Sequence, residues 1–209
     1  MNTPIPSDIA FTPTVKAIQA REGSRRAYAR MEQGEGWEAA ITPDLAEFIA
    51  TQTSVFLGTA NAAGQPYIQH RGGPAGFLHV LDEKTIGFAE LRGNRQYITL
   101  GNLAENPKAH LFLIDYAQRQ RIKIWGEARV VEDDPVLMQK LLPPDEQSRR
   151  GRAILFTVAA WDANCPKHIP QRFEAADVAR TLEQRDRRIA ELESEVAQLK
   201  ANASGMAGR

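Results

Sequence analysis

Between Gln69 and Gly126 the chain places three groups of hydrogen-bond donors in a fixed order. Gln69-His70-Arg71-Gly72-Gly73-Pro74 follows a short β-like run. Phe88-Ala89-Glu90-Leu91-Arg92-Gly93-Asn94-Arg95-Gln96-Tyr97 carries a strand pattern into a helix pattern. Asn106-Pro107 is then followed by His110-Leu111-Phe112-Leu113-Ile114-Asp115-Tyr116 and by the basic run Arg119 to Gly126. Arginine binds phosphate through two parallel N–H groups, and Asn and Gln amides complete such a donor set. The combination suits a phosphate dianion attached to a flat ring. Arg71, Asn94, Arg95, Gln96 and Arg121 form the core of this constellation. Arg95 stands at the start of a predicted helix, where free amides and the helix dipole favour an anion.

Other chemistries are less well served. His70, His79, His110 and His168 show no His-Glu-x-x-His spacing, and one cysteine makes no Cys-x-x-Cys, so no metal site is expected. Cys165 and His168 lie close enough for an imidazolium to lower the thiol pKa. No Gly-x-Ser-x-Gly or comparable oxyanion-hole motif accompanies them, which argues against a hydrolase or transferase. The loop that carries them could instead close over a ring. Gly72-Gly73-Pro74-Ala75-Gly76 joins two strands and opens no helix, so it is not a dinucleotide fingerprint. The Gly-Lys-Ser/Thr ending of a P-loop is absent.

The elements that must position these groups are mainly strands. Residues 1–12 are polar and proline-bearing, an extended arm. Pro13 to Met31 reads as helix, interrupted near Gly23. Thr42-Pro43-Asp44 opens a helix to about Thr51, with Thr42 as N-cap and Pro43 in the first turn. Leu45, Phe48 and Ile49 form its buried stripe. Strand patterns run from Ser54 to Ala60 and on to Arg71 around Asn61-Ala62-Ala63-Gly64, then from Phe77 to Leu81 and Thr85 to Ala89. Arg95 to Glu105 is predicted helical, ending before Asn106-Pro107. Lys108 to Tyr116 and Arg119 to Val131 are long strands. In the second, Gln120, Ile122, Ile124, Ala128 and Val130 share one face. Arg119, Arg121, Lys123, Trp125, Glu127 and Arg129 share the other, so the strand has a core side and a ligand or partner side. Asp134 to Leu142 is a short helix, Ala153 to Trp161 a last strand, and Trp161 to His168 a loop.

From about Ala175 the pattern changes. Leu182, Ile189 and Val196 fall seven apart, as do Leu192 and Leu199, with Arg185 at one core position of roughly three heptads. The expected organisation is an N-terminal arm and helix (1–42), a β-rich domain (43–170) and a C-terminal amphipathic helix (175–203).

The 26 basic and 26 acidic residues among 209 cancel, which asks for neither nucleic acid nor an acidic membrane. No apolar run approaches the ~20 residues of a membrane span. Met1-Asn2-Thr3-Pro4 shows no signal-peptide pattern, and Cys165 has no intrachain partner for a disulfide. A soluble cytoplasmic protein is expected.

In order and spacing, residues 44–165 resemble the FMN-binding split-barrel family that includes pyridoxamine 5′-phosphate oxidase. There, a cofactor-contacting arginine on the second strand is followed by an aromatic strand, a Ser-Arg-Lys-Gly phosphate grip, a helix ending in Asn-Pro, and an Arg-Gln-Val-Arg-Ile-x-Gly strand. The matching positions are Arg71, Phe88, Gly93-Asn94-Arg95-Gln96, Asn106-Pro107 and Arg119-Gln120-Arg121-Ile122-Lys123-Ile124-Trp125-Gly126. Asn94 replaces a cationic residue of the grip, and the oxidase's C-terminal Arg-x-His segment has no counterpart. The resemblance implies a mainly β, α+β fold: a six-stranded split β-barrel with flanking helices and a C-terminal coiled-coil-like helix. It implies FMN held between two barrels of a homodimer, with Arg71, Gly72, Asn94, Arg95, Gln96, Arg121, Lys123, Trp161, Cys165 and His168 as cofactor-binding residues. An FMN-dependent oxidoreductase of undetermined substrate follows from it. The alternatives on the same fold are a deazaflavin (F420) cofactor, or a flavin- or haem-binding module without turnover.

Overall fold

A computed structural model describes residues 5–34, 36–91, 93–142, 151–164 and 166–207. In chain order it contains a 3-10 turn (Pro6–Ile9), α1 (Pro13–Arg21), α2 (Arg25–Gln33), α3 (Pro43–Thr51), β1 (Ser54–Ala60), β2 (Pro66–Gly72), β3 (His79–Val80), β4 (Thr85–Glu90), α4 (Ile98–Glu105), β5 (Lys108–Asp115), β6 (Gln120–Glu132), α5 (Pro135–Leu141), β7 (Arg152–Asn164) and α6 (Ala175–Ala207). The chain divides into two compact units. One holds residues 1–115 and 119–169, the other residues 116–118 and 170–209.

The local chemistry explains most boundaries. Gly23 takes φ +82° and separates α1 from α2, a conformation that costs glycine little. Thr42 caps α3, its hydroxyl accepting the Leu45 N–H at 3.3 Å with Pro43 in the first turn. The Asn106 side chain accepts the Lys108 N–H at 3.1 Å and turns the chain from α4 into β5. The first residues are not simply extended: Pro6 to Ile9 wind into the 3-10 turn.

The seven described strands form one antiparallel sheet in the order β2-β1-β5-β6-β7-β4-β3. The split-barrel, α+β class expected from the sequence is present, with seven strands in place of six. Six is the count the family resemblance implies; the strand pattern from Phe77 to Leu81 becomes β3, a two-residue edge strand whose partner is β4. Strands β2 and β4 stand first and sixth in that order, yet Arg71 of β2 and Glu90 of β4 meet with NH2 and Oε2 2.8 Å apart. The sheet therefore curls until its two ends approach through side chains, leaving a split in the barrel wall.

Alternation fills the barrel. Val55 and Leu57, Leu111 and Leu113, Ile122 and Ile124, Ile154, Phe156 and Val158, and Ile86 and Phe88 all point inward, and Leu45, Phe48 and Ile49 of α3 join them. Cutting Phe156 to alanine in such a core would cost about 3–5 kcal/mol. Strand β6 has the two faces expected, Ile122, Ile124 and Ala128 buried against Arg121, Lys123, Trp125, Glu127 and Arg129 on the outer side. A bulge between Trp125 and Gly126 breaks its register with β7, and a Cβ on Gly126 would lie 2.0 Å from the Thr157 carbonyl oxygen. On the outer face Trp37 stacks on Trp125 at 4.4 Å and Phe11 packs against Trp37 at 5.1 Å. That stack fastens the N-terminal segment to the barrel.

Two further expectations are corrected. The fourth helix begins at Ile98 and not at Arg95, because Arg95 and Tyr97 have φ +65° and +56°. The last strand continues through Trp161 to Asn164, where the sequence pattern points to a loop. Its Trp161 N–H donates to the Glu38 carbonyl at 2.9 Å and its indole N–H to the Ala40 carbonyl at 2.7 Å. Pairing of Trp161 to Asn164 with Ile124 to Arg121 of β6 extends the strand, and Glu38 bridges Trp161 on its other edge.

Candidate active site in the barrel split

The split is lined from β2 inward. On that strand Tyr67, Gln69 and Arg71 alternate with exposed Pro66, Ile68 and His70, so one face presents an aromatic, an amide and a guanidinium in a row. The first turn of helix α4 lines the polar side of the split, and the helix is held to the β1–β2 hairpin by three hydrogen bonds. The buried Thr99 hydroxyl donates to the Gln69 side-chain oxygen at 2.8 Å, Asn102 donates to the Thr59 hydroxyl at 3.0 Å, and Glu105 accepts the Ala62 N–H at 3.0 Å.

Two cavities occupy the split. A polar one of about 370 Å³ is lined by Tyr67, Gln69, Arg71, Asn94, Arg95, Gln96, Tyr97, Thr99, Glu132 and Arg152, among others. An apolar one of about 570 Å³ is walled by the Gly72 to Phe77 loop, His79, Phe88, Ala89, Leu141 and Leu142. Gln69, Arg71, Leu91 and Gly93 line both. The Gly73 position is tight, since a Cβ there would fall 2.6 Å from the Phe77 side chain.

Arg71 is the residue at the junction. Its side chain is 12% exposed and that of Glu90 15%. The 2.8 Å approach is not aligned as a hydrogen bond: Arg71 Nε and NH2 and Glu90 Oε2 are buried without a hydrogen-bond partner among the described residues. The charges attract, but the directional capacity of the guanidinium is unspent. A buried N–H left unmade costs about 1–3 kcal/mol, a cost that an acceptor would relieve if Arg71 turned from Glu90 toward the cavities.

The polar wall continues through a strained loop. Asn94 accepts the Gln96 N–H at 3.2 Å, and left-handed Arg95 and Tyr97 flank Gln96. Non-glycine residues in that conformation cost of order 1–3 kcal/mol each and cluster at ligand sites. Tyr97 occupies the N-cap position of α4 but caps nothing with its side chain, so the first amides of α4 remain open beside Arg95. Hydrogen bonding and charge from Arg95, seconded by the charge of Arg152, hold the Tyr97 hydroxyl below its usual pKa. Arg152 also stands over the Tyr97 ring at 5.6 Å and pairs with Glu132.

Of the residues singled out in the sequence, Arg71, Gly72, Asn94, Arg95 and Gln96 line these cavities. Arg121, Lys123, Trp161 and His168 line neither. Lys123 pairs with Asp162 at 3.2 Å and stands over the Trp125 ring at 5.2 Å. Arg121 Nε is buried without a hydrogen-bond partner among the described residues. Trp161 is engaged with Ala40, and His168 is exposed at φ +67°. Cys165 lies outside the described residues. Motif reading misses Tyr67, Gln69, Tyr97, Thr99 and Arg152 as site residues. The period-two spacing of Tyr67 and Gln69 with Arg71 is the signal that finds two of them.

His110 is half-buried on β5, its ring edge-on to Trp125 at 4.9 Å; burial and the nearby Lys123 charge push its pKa down to about 4. Among the described residues no three His, Cys, Asp or Glu side chains come together to hold a metal ion, and no helix is long and apolar enough to cross a membrane.

No curated protein matches the sequence. Solved structures do. HupZ of Group A Streptococcus is 20% identical over 64% of this chain and 99% of its own, with a TM-score of 0.46. An FMN-binding protein of Syntrophomonas wolfei is 15% identical over 70% and 97%, with a TM-score of 0.45. General stress protein 26 of Bacillus anthracis is 16% identical over 56% and 89%, with a TM-score of 0.44. Residues 41–165, more than half of the chain, match the family profile for pyridoxamine 5′-phosphate oxidase. The chain belongs to that family.

Proposed function

We propose that this protein binds FMN in the barrel split and acts as an FMN-dependent oxidoreductase, as a homodimer. The observation that carries the reading is Arg71. Two of its N–H-bearing nitrogens are buried without hydrogen-bond acceptors among the described residues, at the junction of a polar and an apolar cavity. A phosphorylated flat ring fits that junction: the phosphate toward Arg71, Arg95, Asn94, Gln96 and the open amides of α4, the ring toward Phe77, Phe88 and Leu91. FMN bound there would supply electron or hydride transfer, the protein contributing binding, orientation and electrostatics.

The second orphaned guanidinium supports the homodimer. Arg121 lies on the outer face of β6, away from the split of its own barrel, with Nε buried and unmatched among the described residues. In a homodimer Arg121 and Lys123 of one subunit would complete the cleft of the other. His168 would wall the ring from the same side.

The deciding experiment is the absorbance spectrum of the purified protein with mass spectrometry of any released ligand, followed by FMN titration of apoprotein. Yellow protein releasing FMN is expected. Colourless protein that takes up no FMN rejects the reading, and release of a deazaflavin or haem replaces FMN with that ligand. Stopped-flow mixing with NADH, NADPH and a reduced deazaflavin then tests turnover. Reduction by none of them, with FMN tightly bound, would leave a binding module.

A further inference from the structure

We propose that α6 pairs with α6 of a second copy of this chain as a parallel, in-register, two-stranded coiled coil. This pairing involves α6 alone and does not require a flavin in the barrel.

The helix runs for 33 residues, Ala175 to Ala207. Val178, Leu182, Ile189, Leu192, Val196 and Leu199 are each at least 43% exposed. They fall on one stripe: Leu182, Ile189 and Val196 at a, Val178, Leu192 and Leu199 at d. β-branched Ile and Val at a with Leu at d is the combination that selects two parallel strands over three or four.

The charges flanking the stripe choose the direction. In a parallel pair each g residue meets the e residue five positions on in the other helix. Arg188 then meets Glu193, and Glu195 meets Lys200. Both contacts are attractive, and symmetry makes each twice. Arg188 also bonds Glu191 of its own helix at 2.9 Å, a contact that leaves other guanidinium N–H groups for the second copy. An antiparallel pair in the register that matches the same apolar layers faces g to g and e to e. It keeps Arg188 against Glu195 but sets Asp186 against Glu193, twice over. Arg185, the one charged residue at d, would abut Asp186 of the second copy in the parallel arrangement. A polar residue at one core position fixes register at some expense of stability.

The test is disulfide cross-linking of the full chain with Cys165→Ser, so that each introduced thiol is the only one. Leu199→Cys should self-link readily on mild oxidation into a species of twice 23.2 kDa on a non-reducing gel, and Leu182→Cys likewise. Ser194→Cys, on the opposite side of the helix, should link at least tenfold more slowly. Adding Arg188→Glu to the Leu199→Cys protein should slow its linking several-fold, and adding Glu193→Arg as well should restore it. Linking only when the Leu182→Cys and Leu199→Cys proteins are mixed would replace the parallel pair with an antiparallel one. No linking, or equal rates for the Leu199→Cys and Ser194→Cys proteins, would refute the pairing. None of these readouts depends on bound flavin, so failure here leaves the reading of the split untouched.

Discussion

Arg71 NH2 and Glu90 Oε2 lie 2.8 Å apart across the barrel split, close enough for charge attraction and misaligned for a hydrogen bond. Strands that are not neighbours in the sheet are thus joined by a contact that leaves its donor without a hydrogen bond. If phosphate binds there, Glu90 opposes it. A unit charge about 6 Å away at an effective dielectric near 20 contributes about 2–3 kcal/mol before screening. Glu90→Gln should therefore tighten FMN binding by roughly tenfold, about 1.4 kcal/mol. Riboflavin, which lacks the phosphate, should change little. Fluorescence titration of both ligands checks this; weaker FMN binding would mean that Glu90 chiefly holds Arg71 in place.

Arg95 gives the complementary prediction. Removing its charge-assisted contact in Arg95→Ala should cost on the order of 1.5–3 kcal/mol, roughly ten- to hundredfold in FMN affinity. Riboflavin should lose far less. Equal losses for both would show that Arg95 acts on the ring or on the loop whose left-handed backbone it shares with Tyr97.

Much of this arrangement is legible in the sequence where its causes are local. The Thr42 cap, the break at Gly23, the Asn106-Pro107 stop and the two faces of β6 each depend on neighbours in the chain. Arg71, Asn94, Arg95 and Gln96 can be picked out because their types and turns are visible. Arg152 cannot. It reaches the polar cavity through the pairing of Glu132 with Arg152 at the far end of the β6–β7 ladder. Likewise Trp161 stays in its strand because it pairs with Ile124 of β6, and its indole bonds a carbonyl some 120 residues earlier. Whether Arg121 and Lys123 serve a second subunit depends on contacts between chains, which spacing within one chain does not encode.

His110 sets a pH prediction. Its folded pKa of about 4 lies below the ordinary 6.5, lowered by burial and then by Lys123. Between those values the unfolded chain binds the extra proton, so this group makes stability fall as pH drops from 6.5 toward 4. Allowing for screening at a partly open ring, the contribution is on the order of 1–2 kcal/mol. Thermal melts across that window should show a shallower acid loss for His110→Phe than for the parent, by about 2–4 °C per kcal/mol. Parallel curves would show that His110 is protonated without penalty.

Two glycines should respond in opposite directions. Gly126→Ala drives a methyl group into the Thr157 carbonyl at the β6–β7 bulge and should destabilise the protein by about 3 kcal/mol or more. At Gly101, inside α4, an added Cβ would meet nothing within 4 Å among the described residues. Gly101→Ala should stabilise by roughly 0.5–1 kcal/mol. Urea unfolding of both variants separates close backbone approach from simple helix propensity.

The last prediction concerns what holds two copies together. Three heptads with Arg185 at a core position form a marginal coiled coil, because short helices draw little stability from themselves. The barrel offers a second surface: Phe56 packs beside Phe112 at 6.4 Å and His70 at 5.5 Å on the outer face, next to Ile68, which is 68% exposed. An apolar patch of this kind on an edge hairpin suits a self-complementary contact. Truncation after Ala176 should therefore leave a flavin-binding dimer that melts at lower temperature, while Ile68→Glu in the truncated chain should yield monomers. Light scattering at micromolar concentration distinguishes the cases. A truncated protein that is already monomeric would make α6 the principal dimerisation element and reduce the barrel face to a minor contact.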